Sequence, residues 1–330
     1  MDYNELKDKY RFTVTGGAGF IGSNIVLTLL KNGQSVTVLD NMATGREANV
    51  EEIRKFVESE GISEDSFSYV DGDIRNIDDC KAAVKGSDFV MHNAALGSVP
   101  RSIEDPISTN DANITGTLNM LVAARDEEVK KFVYASSSSI YGDAEGLPKK
   151  EGGEGSPLSP YAVTKAVDEL YANNFKHVYG LQTVGLRYFN IFGPRQDPFS
   201  QYAAVIPIFV KAIMDGKAPT INGDGETSRD FTFVDNAVQA NIKACFASNE
   251  ASGRAFNIAC GGRYTLNELY IKLASLLGSD LKPSYGPERA GDVRHSEADI
   301  SEAKKYLGYE PETGFYEGLE KSIGWYKENL

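Results

Sequence analysis

Cysteine is scarce in this chain. There are three, Cys80, Cys245 and Cys260, widely spaced and without a CxxC pair. That speaks against a disulfide framework and against a cysteine-built zinc site. Positive charge is also short: 34 Lys and Arg face 47 Asp and Glu, for a formal net charge of -13. Such a surface suits neither nucleic acid nor an anionic membrane. It leaves phosphate ligands open, because a local backbone loop can override the mean field. Apolar runs reach only strand length, so no membrane span is expected. The first residues, Met1-Asp2-Tyr3-Asn4-Glu5, are polar and acidic and do not read as a secretory leader. A reducing cytoplasm is the expected compartment. Internal repeats, low-complexity stretches and long heptad runs are all missing.

What is present is an ordinary globular composition over 330 residues, 41% hydrophobic and 25% charged. That length accommodates one large α/β domain or two smaller ones. Short apolar strands recur at Phe12–Thr15, Ser35–Leu39, Phe67–Val70, Phe89–His92, Phe132–Ala135 and Thr183–Arg187. Helical periods lie between them, as at Thr117–Ala124 and Tyr161–Tyr179. Alternating strands and helices imply βαβ units, hence a Rossmann-type, doubly wound parallel sheet. After about Asn190, prolines punctuate shorter elements. Residues 1–190 therefore read as a dinucleotide-binding domain and 191–330 as a smaller α/β substrate region. A return to the sheet is expected within about 231–261, at Phe256-Asn257-Ile258-Ala259.

Glycines 16, 19 and 22 sit between the first strand and the first helix, in Gly16-Gly17-Ala18-Gly19-Phe20-Ile21-Gly22. A tight turn, close backbone approach and an open helix N-terminus suit a pyrophosphate. A glycine turn alone would serve any strand-to-helix connection. Here Asp40 also ends the second strand, where a carboxylate accepts from ribose hydroxyls and repels a 2′-phosphate. Together they point to NAD rather than NADP, with Arg46 the one nearby residue that argues the other way. Asn41, Asp73 and Ile74 follow the second and third strands, where they would flank the adenine side or form a plain polar loop. His92-Asn93-Ala94-Ala95 ends the fourth strand with small residues that leave room for a dinucleotide. His92 itself reads as a packed histidine.

Tyr161 and Lys165 are one helical turn apart, after Ser159-Pro160. They share a helix face, and an ammonium there favours the phenolate. Such a tyrosine can take or give a hydroxyl proton. The fifth strand runs straight into Ser136-Ser137-Ser138-Ser139-Ile140-Tyr141-Gly142, and ligands sit at strand C-terminal ends in sheets of this kind.

With these motifs the chain resembles the extended short-chain dehydrogenase/reductase family over nearly its whole length. Within it, the chain is similar to the UDP-hexose 4-epimerases, most of all to bacterial UDP-N-acetylglucosamine 4-epimerases. The segments that carry this are Ala95-Leu96-Gly97-Ser98-Val99-Pro100-Arg101-Ser102, Leu186-Arg187-Tyr188-Phe189-Asn190-Ile191-Phe192-Gly193, Asn222-Gly223-Asp224-Gly225-Glu226-Thr227-Ser228-Arg229-Asp230-Phe231 and Gly291-Asp292-Val293-Arg294-His295-Ser296.

The resemblance implies Tyr161 as acid/base, Lys165 as its partner and as a holder of the cofactor ribose, and Ser137 as the catalytic serine. It implies Asn113 in support of the cofactor site, and Ser98, Ser138 and Ser139 at the sugar pocket. It assigns Asn190, Asn222, Arg229 and Arg289 to the nucleotide end, Asp292 to the uridine ribose and Val205 to uracil. It further implies a tightly held NAD, a homodimer, no metal, and transient oxidation at C4 with return of hydride to the other face. Ser296 falls where a bulky tyrosine would exclude N-acetyl sugars, so UDP-N-acetylglucosamine and UDP-N-acetylgalactosamine are the expected substrates. Plain UDP-hexoses and, given Arg101, C6-oxidised ones stay open. Dehydratases and decarboxylases of the family carry acidic residues where this chain has Ser138 and Ser139. A non-catalytic NAD sensor would not need Tyr161 and Lys165 intact.

Overall fold

The computed structural model describes residues 3–197, 199, 204–288 and 294–329. Its strands are β1 (Arg11–Thr15), β2 (Ser35–Asp40), β3 (Phe67–Asp71), β4 (Phe89–His92), β5 (Lys131–Ser137) and β6 (Thr183–Tyr188), then the short β7 (Ile191–Phe192), β8 (Thr220–Asn222), β9 (Ser228–Arg229) and β10 (Thr232–Phe233), and finally β11 (Arg254–Ile258), β12 (Tyr264–Thr265) and β13 (Ser284–Gly286). The helices are α1 (Phe20–Lys31), α2 (Glu47–Ser59), α3 (Ile77–Val84), α4 (Val99–Glu104), α5 (Pro106–Asn110), α6 (Gly116–Asp126), α7 (Pro160–Tyr179), α8 (Val205–Met214), α9 (Val234–Phe246), α10 (Leu266–Leu277), α11 (Ser301–Leu307) and α12 (Phe315–Asn329).

Seven strands form one sheet in the order β11-β6-β5-β4-β1-β2-β3. All its pairings are parallel. This is the doubly wound order, and it reverses between β1 and β4, where a crevice must open at the strand ends. The interior strands β1, β4, β5 and β6 are buried along most of their length, which explains their apolar composition, whereas the edge strand β3 stays partly exposed. One face packs on α1, α2, α9 and α11 through residues such as Ile25, Ile53, Val238 and Leu307. The other packs on α3, α6 and α7 through Ala83, Met120 and Phe175. β11 lies parallel to β6, so the return segment extends the sheet.

A third apolar cluster joins α8, α10, α12 and the short strands, with Phe192, Phe209, Phe231, Leu269, Phe315 and Tyr326 inside it. It lies beyond the β6 chain exit, where Asn190 turns through a positive φ of 41°. The expected helix at Thr117–Ala124 belongs to a longer run. A π-turn, Asp111–Thr115, joins α5 to α6 without a break. The extra residue in that turn brings Asn113 fully into the interior, as π-turns commonly do beside functional sites.

Candidate active site

The glycine turn is shaped by crowding. A Cβ on Gly22 would lie 2.1 Å from the Gly16 carbonyl oxygen, and one on Gly16 would lie 2.8 Å from the Ala94 nitrogen. Gly16 also has a φ of +69°, a conformation glycine adopts without strain. Gly19 caps α1 without any side-chain hydrogen bond. The first-turn amides of Phe20, Ile21 and Gly22 therefore have no partner within the helix and face an adjoining cavity with the positive end of the helix dipole.

That cavity measures about 770 Å³. Gly16, Gly19, Phe20, Ile21 and Gly22 line one wall, and Asp40, Asn41, Asp73 and Ile74 another. Asn93 also lines it, and its amide nitrogen has no hydrogen-bond partner among the described residues. The Asp40 carboxylate accepts from the amides of Ala18 and Met42, both at 2.9 Å. Burial pushes its pKa above the usual range for aspartate. Asn41 donates to Asp73 at 2.9 Å. The Arg75 guanidinium beside Asp73 holds that carboxyl down at about 2. Arg46 is not part of the cavity wall, and its backbone is bound to Ala18 at 3.0 Å.

At the far end of the same cavity stand Ser137, Tyr161 and Lys165. Ser159 caps α7 by accepting from the Ala162 amide, and Pro160 fills its first turn. This start sets Tyr161 and Lys165 on the helix face turned to β5. Lys165 Nζ donates to the Ala135 carbonyl at 2.9 Å and to Asp168 Oδ2 at 3.2 Å. Ser137 Oγ accepts from the amide and the hydroxyl of Ser139, at 3.1 and 2.9 Å. Its own hydroxyl hydrogen is thereby left to donate. The chain then turns at Gly142, where a Cβ would strike the Ser156 carbonyl at 1.8 Å.

A second cavity, of about 550 Å³, adjoins the first. Asn190 lines both, and the serine run passes from Ser137 in one to Ser138 and Ser139 in the other. Arg229 and Ser296 also line it. The Ser228 carbonyl accepts from the Ser296 amide at 3.0 Å, and Ser228 Oγ meets His295 Nδ1 at 2.8 Å. This stitching brings the distant 294–296 segment against β9 and aims Ser296 inward. Arg229 Nη1 donates to the carbonyls of Ser228 and Arg294 at 2.9 and 3.3 Å. Asn190 donates to the Asp230 carbonyl at 3.1 Å.

Other expected site residues lie elsewhere. Asn113 is one layer behind the cavities: its oxygen accepts from the Leu96 amide at 2.8 Å and its nitrogen donates to Thr164 at 3.0 Å. The side chain is spent inside the protein, so Asn113 supports the wall rather than facing a ligand. Ser98 uses its hydroxyl to cap α4, accepting from the Arg101 amide at 3.2 Å. Val205 opens α8, and Asn222 ends β8 on the exposed side; neither lines these two cavities. Arg289 and Asp292 lie outside the described residues.

Three groups near the site were not singled out from the sequence. Asp168 pairs with Lys165 deep in the interior. Glu169 grips Arg187 with two bonds, 2.9 Å to Nε and 2.7 Å to Nη2. Tyr188 reaches Asn93 at 3.3 Å. The i, i+3 spacing from Lys165 to Asp168 was the one available signal. The other two contacts join segments far apart in the chain.

The model of the NAD dependent epimerase/dehydratase family matches residues 12–259. A putative UDP-glucose 4-epimerase of Methanocaldococcus jannaschii is 37% identical over 318 residues, covering 96% of this chain and 98% of its own. A UDP-glucuronate 4-epimerase of Thermodesulfobacterium geofontis is 36% identical over 323 residues, covering 97% of each. Among solved structures, a UDP-N-acetylglucosamine 4-epimerase from Methanobrevibacter ruminantium M1, in complex with UDP-N-acetylmuramic acid, matches with a TM-score of 0.90 at 38% identity, over 98% of this chain and 100% of that one. The family match runs from the first strand of the central sheet to just past the last, and on that ground this chain belongs to the NAD dependent epimerase/dehydratase family.

Proposed function

We propose that this protein is a UDP-sugar 4-epimerase whose substrates are UDP-N-acetylglucosamine and UDP-N-acetylgalactosamine. The observation that carries the substrate choice is Ser296. Its small side chain lines the second cavity beside Ser138 and Ser139, and a larger residue there would fill the space an N-acetyl group needs.

The first cavity fits NAD on its own chemistry. The crowded glycines leave backbone amides bare for a pyrophosphate. Asp40 offers lone pairs to ribose hydroxyls at the β2 end. The unpartnered Asn93 amide and the small Ala94 and Ala95 line the crossing between β1 and β4. NAD held there supplies a hydride acceptor and donor for the sugar C4.

The chain's own residues carry the rest. Tyr161 takes the proton from the 4-hydroxyl and later returns it. Ser137 donates its free hydroxyl hydrogen to the same oxygen. Lys165 follows Tyr161 by one helical turn on the same face and lines the same cavity, where it can hold the cofactor ribose. Arg229, with Asn190, suits the diphosphate, since a guanidinium binds phosphate through two bonds. Anchoring the nucleotide leaves the sugar ring free to present either face. The remote binding energy is then retained while the reacting ring moves. Arg289 and Asp292 complete this nucleotide end in the same reading.

Incubation of the purified protein with UDP-N-acetylglucosamine, without added NAD, tests the reading by proton NMR. Appearance of UDP-N-acetylgalactosamine supports both the reaction and the substrate. Turnover of UDP-glucose or UDP-glucuronate alone would keep the reaction and overturn the substrate. No turnover on any of them, with NAD added, would sink the reaction itself.

The same reading includes a homodimer. Val163, Leu170 and Val178 are exposed on α7, and Ile103 and Ile107 are exposed on α4 and α5. Apolar side chains in such helical rows favour burial against another surface.

A further inference from the structure

The Lys165 ammonium is buried, with its side chain 3% exposed, and Asp168 is 1% exposed. Two of the three ammonium hydrogens are spent inside the protein, on Ala135 and Asp168. The third is left for the cavity that Lys165 lines. Asp168 is therefore the carboxylate that anchors the Lys165 ammonium.

We propose that Asp168 is a positioning residue of the Tyr161–Lys165 pair: its buried carboxylate fixes the ammonium against the end of β5 and offsets part of the charge felt by Tyr161. The proposal rests on the reading of Tyr161 as the acid/base.

The surroundings make this carboxylate responsive. Among the described residues Asp168 Oδ1 has no well-formed hydrogen bond. The Thr117 hydroxyl on α6, which also meets His92 Nε2 at 3.0 Å, acts on the carboxylate as a hydrogen-bond partner and favours its charged form. His92, on β4, is buried and neutral. Tyr134, on β5, is buried and held well above its ordinary range. Glu169, the next residue on α7, is neutralised by Arg187 of β6. Lys165 is thus the one cation of the described residues bonded to Asp168. Burial raises the Asp168 pKa to about 6 in spite of that cation.

An Asp168 anion lowers the positive potential at Tyr161. Replacing it with a neutral group of the same shape raises that potential and favours the phenolate. Asp168→Asn and Asp168→Ser are made together, so that the result stands on whichever folds with its cofactor retained. Asp168→Glu keeps the charge and serves as the conservative control.

Two readouts decide. One is the acid limb of the kcat profile. The other is the pH at which tyrosinate absorbance develops, with the corresponding Tyr161→Phe protein subtracted; it needs no turnover. In the neutral variants both should move down by about one pH unit, and Asp168→Glu should restore them toward wild type. Loss of activity with both positions unmoved, or movement upward, would overturn the proposal and leave Asp168 a packing residue. Movement of the tyrosinate titration without epimerisation of any UDP-sugar would keep the proposal and overturn the epimerase reading instead.

Discussion

His92 Nδ1 meets the Thr15 hydroxyl at 2.7 Å, which ties the last residue of β4 to the last residue of β1. The Thr15 hydroxyl also accepts from the Ala94 amide at 3.2 Å. This pair braces the two strands between which the sheet order reverses, immediately below the glycine turn. Burial, with the nearby Lys165 ammonium, holds the imidazole down from 6.5 to about 3. The brace is thus built from a neutral ring.

A pH dependence of stability follows. Below 6.5 the unfolded chain binds a proton at His92 that the folded chain refuses until about 3. Stability contributed by the neutral ring is present above the unfolded value and is lost as pH falls through that window, by about 1.4 kcal/mol per unit. In His92→Gln this slope is absent. Denaturant unfolding of both proteins, from about pH 6.5 to about pH 4.5, should show the wild-type advantage shrinking by roughly 2–3 kcal/mol. A constant difference would show that the ring is not kept neutral.

Tyr161→Phe removes the proton carrier and leaves the ring that packs in the cavity wall. Turnover should fall by about two to four powers of ten. Cofactor content, read from the absorbance of the isolated protein, should stay near wild type. A variant that retains a tenth of the activity would assign the proton transfer elsewhere.

Ser296→Tyr fills the second cavity. Turnover of UDP-N-acetylglucosamine should drop by at least about tenfold relative to UDP-glucose, as one crowding contact in a pocket commonly discriminates. Competition between the two substrates followed by NMR measures the ratio. An unchanged ratio would move the N-acetyl group away from Ser296.

Arg187→Met tests the frame behind the serine run. Arg187 is buried and holds Glu169 with two bonds, Glu154, and the Tyr141 hydroxyl at 3.0 Å. Removing one partner of a buried ion pair leaves the other charges uncompensated, at about 3–5 kcal/mol. Thermal or denaturant unfolding should show that loss. A cost under about 1 kcal/mol would mean that the acidic partners find water.

Leu170→Glu tests the proposed dimer. Leu170 is 70% exposed on α7, so the change costs the single chain little. Light scattering should show wild-type dimers and variant monomers. A wild-type monomer, or a dimer unaffected by the charge, would place the interface elsewhere or remove it.

The dinucleotide frame was legible because its signals are local. Gly16, Gly19 and Gly22 bracket one turn, Asp40 ends one strand, and Tyr161 and Lys165 share one helix face. Backbone crowding and helix periodicity act over a few residues, so residue order alone encodes them. The serines at 137–139 could be placed for the same reason: they follow directly from the C-terminal end of β5. The way Asn113 supports the site was less legible. Its position depends on the π-turn, which has no simple sequence mark, and its amide is consumed by Leu96 and Thr164. The hydroxyl of Ser98 went to capping for a similar reason, since a free helix end beside it needed an acceptor.

What the amino-acid order determined by itself, then, is the alternating strand and helix pattern, the phosphate-turn chemistry and the Tyr161–Lys165 spacing. Tertiary structure alone decided which far-separated groups meet. It set Ser296 against β9 through Ser228 and His295, and His92 against Thr15. It also made Asp168 a buried partner of Lys165 by closing β4, β5 and α6 over a helix face that would otherwise be solvated. Burial and long-range pairing are properties of the packed chain, because only packing removes water and so gives these charges and hydroxyls their strength.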